Sequence, residues 1–406
     1  MTAEPGRDAP VVVLCLNTGS SSLRCGLYRF EGGDSSEARR AEACLASGMV
    51  ERVGEREGRL SVRAADGGRG EHVQTAAFSD HEAALRAMLA ALERLGLPAP
   101  TAVGHRVVFG GPDHEAPARV DPALVAALRE LVTFAPLHLP AELRGIEVVA
   151  ERLPGLPQVA CFDTAFHRRM PELAQRFPLP RSYWDDGVRR YGFHGLSYEY
   201  VLGKLGAAGL GRVVIGHLGN GASMVAVRDG RSLDTTMGLT PTGGLMMGTR
   251  TGDLDPGVLV HLAGQKGYDA ARLERLVNAE AGLLGVSGRA ADMKTLLEAR
   301  AHDPDAALAV DLYCHHLRRH VGALAAVLGG LDALVFTGGI GERAAPVRRD
   351  ACLGLGHLGV EVDDARNDAH ADVISPDGSR CTVRVVPTDE QLVIARHTRD
   401  LVRSTG

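Results

Sequence analysis

Three glycine-rich turns each follow an apolar run: Gly19-Ser20-Ser21-Ser22 after residues 11–16, Gly219-Asn220-Gly221-Ala222-Ser223 after residues 212–218, and Gly338-Gly339-Ile340-Gly341-Glu342 after residues 333–337. Glycine lets backbone N–H groups approach phosphate oxygens closely, and serine hydroxyls add donors. One such turn is an ordinary hairpin signal, whereas three in one chain point to nucleotide phosphate. Four side chains could act beside it. Arg106 ends an apolar segment flanked by glycine, where a guanidinium can grip a carboxylate or phosphate bidentately. Arg250 lies between Gly248 and Gly252, in a loop flexible enough to carry it to a transferring phosphoryl group. Asp163 follows an apolar strand, and His194 sits between Phe193 and Gly195. As residues alone, Arg106 serves equally well in a surface ion pair, Asp163 as a helix N-cap, and His194 as an ordinary core or surface histidine.

The elements that must position these residues are readable from hydrophobic periodicity. Strands are expected at residues 11–16, 23–30, 102–108, 159–162, 212–218 and 333–337. A hairpin is expected from residue 212 to the turn at Asp229-Gly230. Helices are expected at residues 81–95, stopping at Gly96, and at 122–133, 143–152, 306–328 and 390–403. Residues 31–80 are glycine-rich and charged, with short β-like pieces such as Leu60-Ser61-Val62. The strand–turn–strand segment LCLNTGSSSLRCGLYRF has an echo in VVIGHLGNGASMVAVRDG, half a chain later, which suggests a duplicated domain.

With 406 residues, 45% of them apolar, the chain is long enough for two domains with separate cores. A net charge of −5 with scattered Lys and Arg gives no sign of a nucleic-acid or membrane surface. The first residues carry no signal-peptide pattern, and no apolar stretch reaches the length of a membrane span. Seven cysteines, with no C-x-x-C, suit free thiols in a reducing cytoplasm. The P-loop, the protein-kinase motifs and a Rossmann fingerprint after the first strand are all missing. ATP would therefore be clamped between two duplicated domains.

Eight ordered motifs make a resemblance specific. They are Asn17-Thr18-Gly19-Ser20-Ser21-Ser22-Leu23, Gly104-His105-Arg106-Val107-Val108-Phe109-Gly110-Gly111, Phe162-Asp163-Thr164-Ala165-Phe166-His167 and Arg190-Tyr191-Gly192-Phe193-His194-Gly195, followed by His217-Leu218-Gly219-Asn220-Gly221, Met247-Gly248-Thr249-Arg250-Thr251-Gly252-Asp253, Phe336-Thr337-Gly338-Gly339-Ile340-Gly341-Glu342 and Pro387-Thr388-Asp389-Glu390. Together they resemble the acetate and propionate kinase family over nearly the whole chain. The resemblance implies an α/β fold of two duplicated ribonuclease-H-like, actin-like ATPase domains with a cleft between them. The first domain would be residues 1–163 plus 391–406. The second, nucleotide-binding and dimerising, would be residues 164–390.

It further implies a reversible, Mg²⁺-dependent transfer between ATP and acetate, giving acetyl phosphate and ADP, with Mn²⁺ as an alternative cation. Asp163, His194, Arg250 and Arg106 would be catalytic. Arg106 would also bind substrate, with Val108, Leu137, Phe193 and Pro241 forming the acyl pocket. Asn17 and Glu390 would hold the metal. Nucleotide contacts fall on Arg24, on His217, Leu218, Gly219, Asn220 and Gly221, on Asp292, Met293 and Lys294, and on Gly339, Ile340, Gly341, Glu342 and Arg343. Acetate is already an anion, so Asp163 is expected to orient Arg106 or the metal's waters rather than act as a strong base.

The chain departs from the family pattern at several places. Phe109 stands where the family shows His, Leu139 where it shows Asn, and Leu196 and Tyr198 where it shows Thr and His. Arg24 replaces a lysine, Lys294 an arginine and Ala222 a glycine. Phe109 and Leu139 are expected to make the surroundings of Arg106 less polar. Two other readings are a propionate or butyrate kinase with the same machinery, and a non-catalytic ATP-binding scaffold or sensor. His315, His316 and His320 read as a solvated helix face rather than a metal site, because the Glu of H-E-x-x-H is missing.

Overall fold

A computed structural model describes residues 9–19, 21–32, 42–136, 138–206 and 211–404. Two called positions, Ser20 and Leu137, lie outside the described residues. The chain divides into two compact units, one ending at Ala165 and resuming at Asp389, the other running from Phe166 to Thr388.

The first unit is built on β1 (Val11–Thr18), β2 (Ser22–Phe30), β3 (Glu42–Glu51), β4 (Gly58–Ala64) and β5 (Glu71–Ala76), then α1 (His81–Arg94), β6 (Ala102–Val107), β7 (Ala118–Arg119), α2 (Pro122–Glu130), α3 (Leu139–Arg152) and β8 (Gln158–Phe162). The region read as glycine-rich and charged, with short β-like pieces, supplies three full strands. The eight strands form one sheet in the order β5-β4-β3-β2-β1-β6-β8-β7. β1 is an almost continuous apolar run because it is central and covered on both faces. It pairs antiparallel with β2, from Val11 opposite Phe30 to Thr18 opposite Leu23, and parallel with β6, from Val13 opposite Ala102 to Leu16 opposite His105. β6 in turn runs parallel to β8, with Arg106 opposite Cys161. These registers bring the carboxyl ends of β1, β6 and β8 side by side, where ligands of open α/β sheets bind.

α1 buries Ala84, Leu85, Met88, Ala91 and Leu92 at the helical spacing read from the sequence, and Asp80 caps it by accepting from the Ala83 N–H. α2 stops at Glu130, and its expected last turn is a 3₁₀ turn, Leu131–Phe134. α3 begins at Leu139, four residues before the expected start, with Pro140 in its first turn. The C-terminal helix Glu390–Arg403, capped by Asp389, belongs to this unit and buries Val393, Ile394, Ala395 and Thr398. It lies so close to β6 that a Cβ on Gly104 would sit 2.4 Å from Thr398 Oγ1 and 2.5 Å from Ile394 Cγ2. Glycine is required there by the backbone approach, not by an unusual dihedral.

The second unit opens with two short helices, α4 (Glu172–Gln175) and α5 (Arg181–Asp185), and then α6 (Gly195–Leu205). β9 (Arg212–Leu218), β10 (Ala222–Arg228) and β11 (Arg231–Thr235) follow as an antiparallel meander, and α7 (Pro256–Lys266) comes next. After the long helix Pro304–Leu328 come β12 (Ala333–Thr337) and β13 (Thr382–Val385). The sheet order is β11-β10-β9-β12-β13, with β12 parallel to β9 and β13 parallel to β12.

This is the order and direction of β3-β2-β1-β6-β8 in the first unit. Each unit has a three-stranded meander whose first strand is extended by two parallel strands. The duplication expected from a short sequence echo is thus a repeated topology.

Candidate active site

The first unit gathers residues far apart in sequence around Arg106. Its Nη2 donates to Asp163 Oδ2 at 2.6 Å and its Nε to Asp163 Oδ1 at 3.2 Å, a two-bond pairing across 57 positions. Nη1 donates to Asn17 Oδ1 at 3.4 Å, and Glu390 Oε2 lies 3.9 Å from Nε. The placement follows from the sheet. Asn17 ends β1, Arg106 ends β6, Asp163 follows β8, and Glu390 opens the C-terminal helix. Asp163 is 1% exposed, while the Arg106 and Glu390 side chains keep 17% and 20% exposure, so the cluster is open on one side. Burial works against the Arg106 charge, but Asp163 and then Glu390 outweigh it, holding the guanidinium above its ordinary range.

One member of this cluster escaped the sequence reading. Glu142, on α3 and 3% exposed, accepts from the Val108 N–H at 3.1 Å. Burial pushes its carboxyl up to about 8, against the opposing pull of Arg106 and of the Val108 bond. The signal was a carboxylate three positions after Leu139, on the apolar face of an amphipathic helix. Phe109 and Leu139 are both fully buried, and Phe109 stacks on Phe134 at 5.6 Å.

The raised Glu142 has a thermodynamic consequence. The folded chain holds a proton that the unfolded chain releases between about pH 4.5 and 8, so this contribution to stability is complete below that window and is lost as pH climbs through it. Glu142→Gln keeps an acceptor for Val108 without the proton. Its melting temperature should gain on the parent's between pH 5 and pH 9. Parallel melting curves at all pH values would refute the assignment.

The second unit gathers another set. His194 is the N-cap of α6 in a left-handed conformation, φ 60° and ψ 25°. Strain of this kind in a residue other than glycine persists only where the surroundings enforce it. Its ring stacks on His217 at 4.3 Å, and its Nδ1 meets Ser223 Oγ at 2.8 Å. His194 Nε2 and Arg250 Nη1 converge above Gly221, 3.5 and 3.4 Å from where a Cβ on that glycine would lie. Both nitrogens therefore border the space that a side chain at residue 221 would enter.

Arg250 does not ride on a freely moving loop, as its glycine neighbours suggested. Met247 N–H donates to Arg250 O at 3.1 Å, Thr251 N–H to Val277 O at 3.0 Å, and Leu283 N–H to Met247 O at 2.9 Å. A Cβ on Gly252 would sit 2.4 Å from Leu245 backbone, so this glycine serves packing rather than mobility. The Arg250 side chain also donates to Pro241 O at 3.2 Å. Phe193 is buried and Pro241 half-buried.

A cavity of about 990 Å³ is lined by Gly219, Asn220, Asp292, Met293, Lys294, Gly339, Ile340 and Arg343, joining three segments expected to contact nucleotide. The remaining called residues lie elsewhere. Leu218 is fully buried, and Gly341 is buried too. The Glu342 carboxylate is taken up by the Gly338 and Thr388 N–H groups at 3.1 and 3.2 Å, so it braces the turn. Arg24 is an exposed residue on β2 of the first unit. Asp292 caps the helix Met293–Ala299 by accepting from the Thr295 N–H at 2.9 Å, which gives this otherwise signal-free segment a local purpose. His315 is exposed, but His316 and His320 are half-buried, with His320 Nε2 3.7 Å from Asp253, so the solvated-face reading holds for His315 only. Among the described residues no group of three or more His, Cys, Asp or Glu is arranged to hold a metal.

Two sheets of one topology, each with glycine turns and charged side chains at its strand ends, define a duplicated α/β protein. Comparison with known proteins narrows this. Residues 12–396 match the Acetokinase family. An acetate kinase of Rhodopseudomonas palustris is 45% identical over 399 residues, 95% of this chain and 97% of that protein. The crystal structure of Porphyromonas gingivalis acetate kinase superimposes with a TM-score of 0.85 at 38% identity, over 97% of this chain and all of that one. A propionate kinase from Francisella tularensis gives 0.87 at 32% identity, over 96% and 99%. The chain belongs to the acetokinase family.

Proposed function

We propose that the protein is an acetate kinase, transferring the γ-phosphoryl group of ATP directly and reversibly to acetate to give acetyl phosphate and ADP. The observation that carries this reading is the Arg106 cluster. A guanidinium fixed by Asp163 yet partly exposed is suited to a carboxylate acceptor, and a pure ATP clamp has no use for it. Acetate needs no deprotonation, so Asp163 aims and stiffens Arg106. Val108, two residues beyond Arg106, is an apolar wall for the methyl group. The cavity between Asn220, Lys294 and Arg343 takes the nucleotide. Arg250 neutralises charge on the transferred group as it develops, and His194 stabilises it by donating a hydrogen bond.

The oxygen donors of Asn17 and Glu390 flank the Arg106 guanidinium. One amide and one carboxylate oxygen suit Mg²⁺, which takes few protein ligands and keeps waters and phosphates. Bound there, the cation would neutralise phosphate charge. Glu390→Ala should therefore raise the Mg²⁺ concentration needed for half-maximal rate while the KM for acetate barely moves. An unchanged Mg²⁺ titration would remove Glu390 from the metal site.

The deciding experiment is hydroxylamine trapping of acyl phosphate with ATP, Mg²⁺ or Mn²⁺, and a series of short acids. Acetate should give the largest kcat/KM. A larger value for propionate or butyrate would shift the substrate, and no acyl hydroxamate with any acid would favour a nucleotide-binding scaffold.

Among the described residues no helix is long and apolar enough to cross a membrane. We place the protein in the cytoplasm, which cell fractionation checks. α7 buries none of its residues although Val258 and Val260 are 37% and 72% exposed. We assign this face to a homodimer contact, which a monomeric mass by light scattering would exclude.

A further inference from the structure

The imidazole of His194 can serve a transferring phosphoryl group in its neutral form only if the proton sits on the nitrogen that faces it. That nitrogen is Nε2, which points into the space above Gly221 shared with Arg250 Nη1. Which nitrogen carries the proton is decided by the bond made at the other one. Nδ1 meets Ser223 Oγ at 2.8 Å, and Ser223 Oγ is in turn hydrogen-bonded to the Tyr198 hydroxyl. Tyr198 and Ser223 are both fully buried.

The chain is locally enforced. Tyr198 lies one turn into α6, and its N–H closes the first helical bond on His194 O at 3.1 Å. Its ring is held by Phe166 and His167, at centroid distances of 6.0 and 5.7 Å. Ser223 sits on β10 opposite His217, the ring on which His194 stacks.

We propose that Tyr198, acting through Ser223, fixes His194 as the tautomer with its proton on Nε2, and is thereby a positioning residue for phosphoryl transfer. A phenol is a stronger acid than an alkyl alcohol, so the Tyr198 O–H donates to Ser223 Oγ. The single Ser223 proton then goes to His194 Nδ1. An imidazole that accepts at Nδ1 carries its proton on Nε2. Successive bonds of one sense also strengthen one another in a low-dielectric interior. The reverse sense would turn a lone pair toward the phosphoryl oxygens.

The inference rests on the reading of His194 as a donor to the phosphoryl group, and the test separates the two. Two-bond ¹H–¹⁵N spectra of the full-length protein with ring-labelled histidine report the tautomer without any turnover, and His194→Gln assigns the signals. The parent should show the Nε2–H pattern at His194. Tyr198→Phe keeps the ring packing and should convert that pattern to a mixture. The same variant should lower kcat about twofold to tenfold, in step with the Nε2–H fraction that remains, with KM for ATP and acetate nearly unchanged. That is less than the roughly 10⁴-fold cost of a fully wrong tautomer in a catalytic triad, because Ser223 remains. Ser223→Ala should act in the same direction, and the double variant should lose little more than Ser223→Ala alone. A parent proton on Nδ1 would overturn the proposal. So would a Tyr198→Phe variant that loses activity with the tautomer intact, or keeps both. A parent with the Nε2–H pattern that forms no acetyl phosphate would instead overturn the functional reading.

Discussion

Arg250→Ala lowers kcat by about 10³–10⁵-fold, the range associated with loss of a transition-state arginine in phosphoryl transfer, while the KM for ATP changes little. Charge grows on the equatorial oxygens of the transferred group only as the reaction proceeds. A guanidinium that meets that charge contributes to the transition state more than to bound ATP. Arg250 is placed for this. Its Nη1 shares the space above Gly221 with His194 Nε2, and its loop is already tied down by backbone bonds to Val277 and Leu283. Little ordering is left to be done when substrate arrives. Lysine at this position should rescue only in part, since a point charge cannot reproduce the planar fork. Steady-state kinetics at saturating substrates decide the matter. A near-normal kcat in Arg250→Ala would make the residue a brace for Pro241.

Arg106→Ala has a different signature, with activity and stability falling together. The acceptor carboxylate loses its partner in the ground state as well as later, so the KM for acetate rises alongside the fall in kcat. At the same time Asp163, 1% exposed, is left without the guanidinium that neutralises it. Removing one partner of a buried ion pair typically costs about 3–5 kcal/mol. Arg106→Ala/Asp163→Ala should then be more stable than Arg106→Ala alone while remaining inactive. Denaturant unfolding paired with acetate titrations gives both readouts. An acetate KM equal to the parent's would remove Arg106 from the acceptor site, and a double variant no more stable than the single one would show that Asp163 does not depend on Arg106.

Strand ends were legible because each apolar run stops at a turn residue, and strand ends are where Asn17, Arg106 and Asp163 lie. Their association was not legible from spacing. It depends on the parallel registers of β1, β6 and β8, which pair residues tens of positions apart. Family resemblance supplied the roles, and the geometry supplies the couplings. Glu142 was passed over because the start of α3 was set at residue 143. Pro140 was a missed sign of a helix beginning at Leu139. Glycine misled at Arg250. Gly248 and Gly252 suggest flexibility, but Gly252 has φ +69° and a neighbouring backbone too close for any side chain. The Tyr198–Ser223–His194 chain joins a helix to a strand, and no local pattern announces such a pairing.

The C-terminal helix gives the order of synthesis a direct bearing on the order of folding. β6 carries Gly104 so that Ile394 and Thr398 can lie against it, and Tyr28 on β2 donates to Asp389 Oδ1 at 3.0 Å. As the chain leaves the ribosome, the first unit has its sheet but lacks the helix that covers it throughout the synthesis of residues 166 to 388. The second unit has all its strands and can close first. The usual order, N-terminal domain first, cannot complete the first unit here, because its covering helix follows residue 388. The apolar face of β1 and β6 waits for a segment made after residue 388, and that segment also delivers Glu390 to Arg106. A nascent chain cut short before residue 390 would bring out a complete second unit and a first unit without its closing helix.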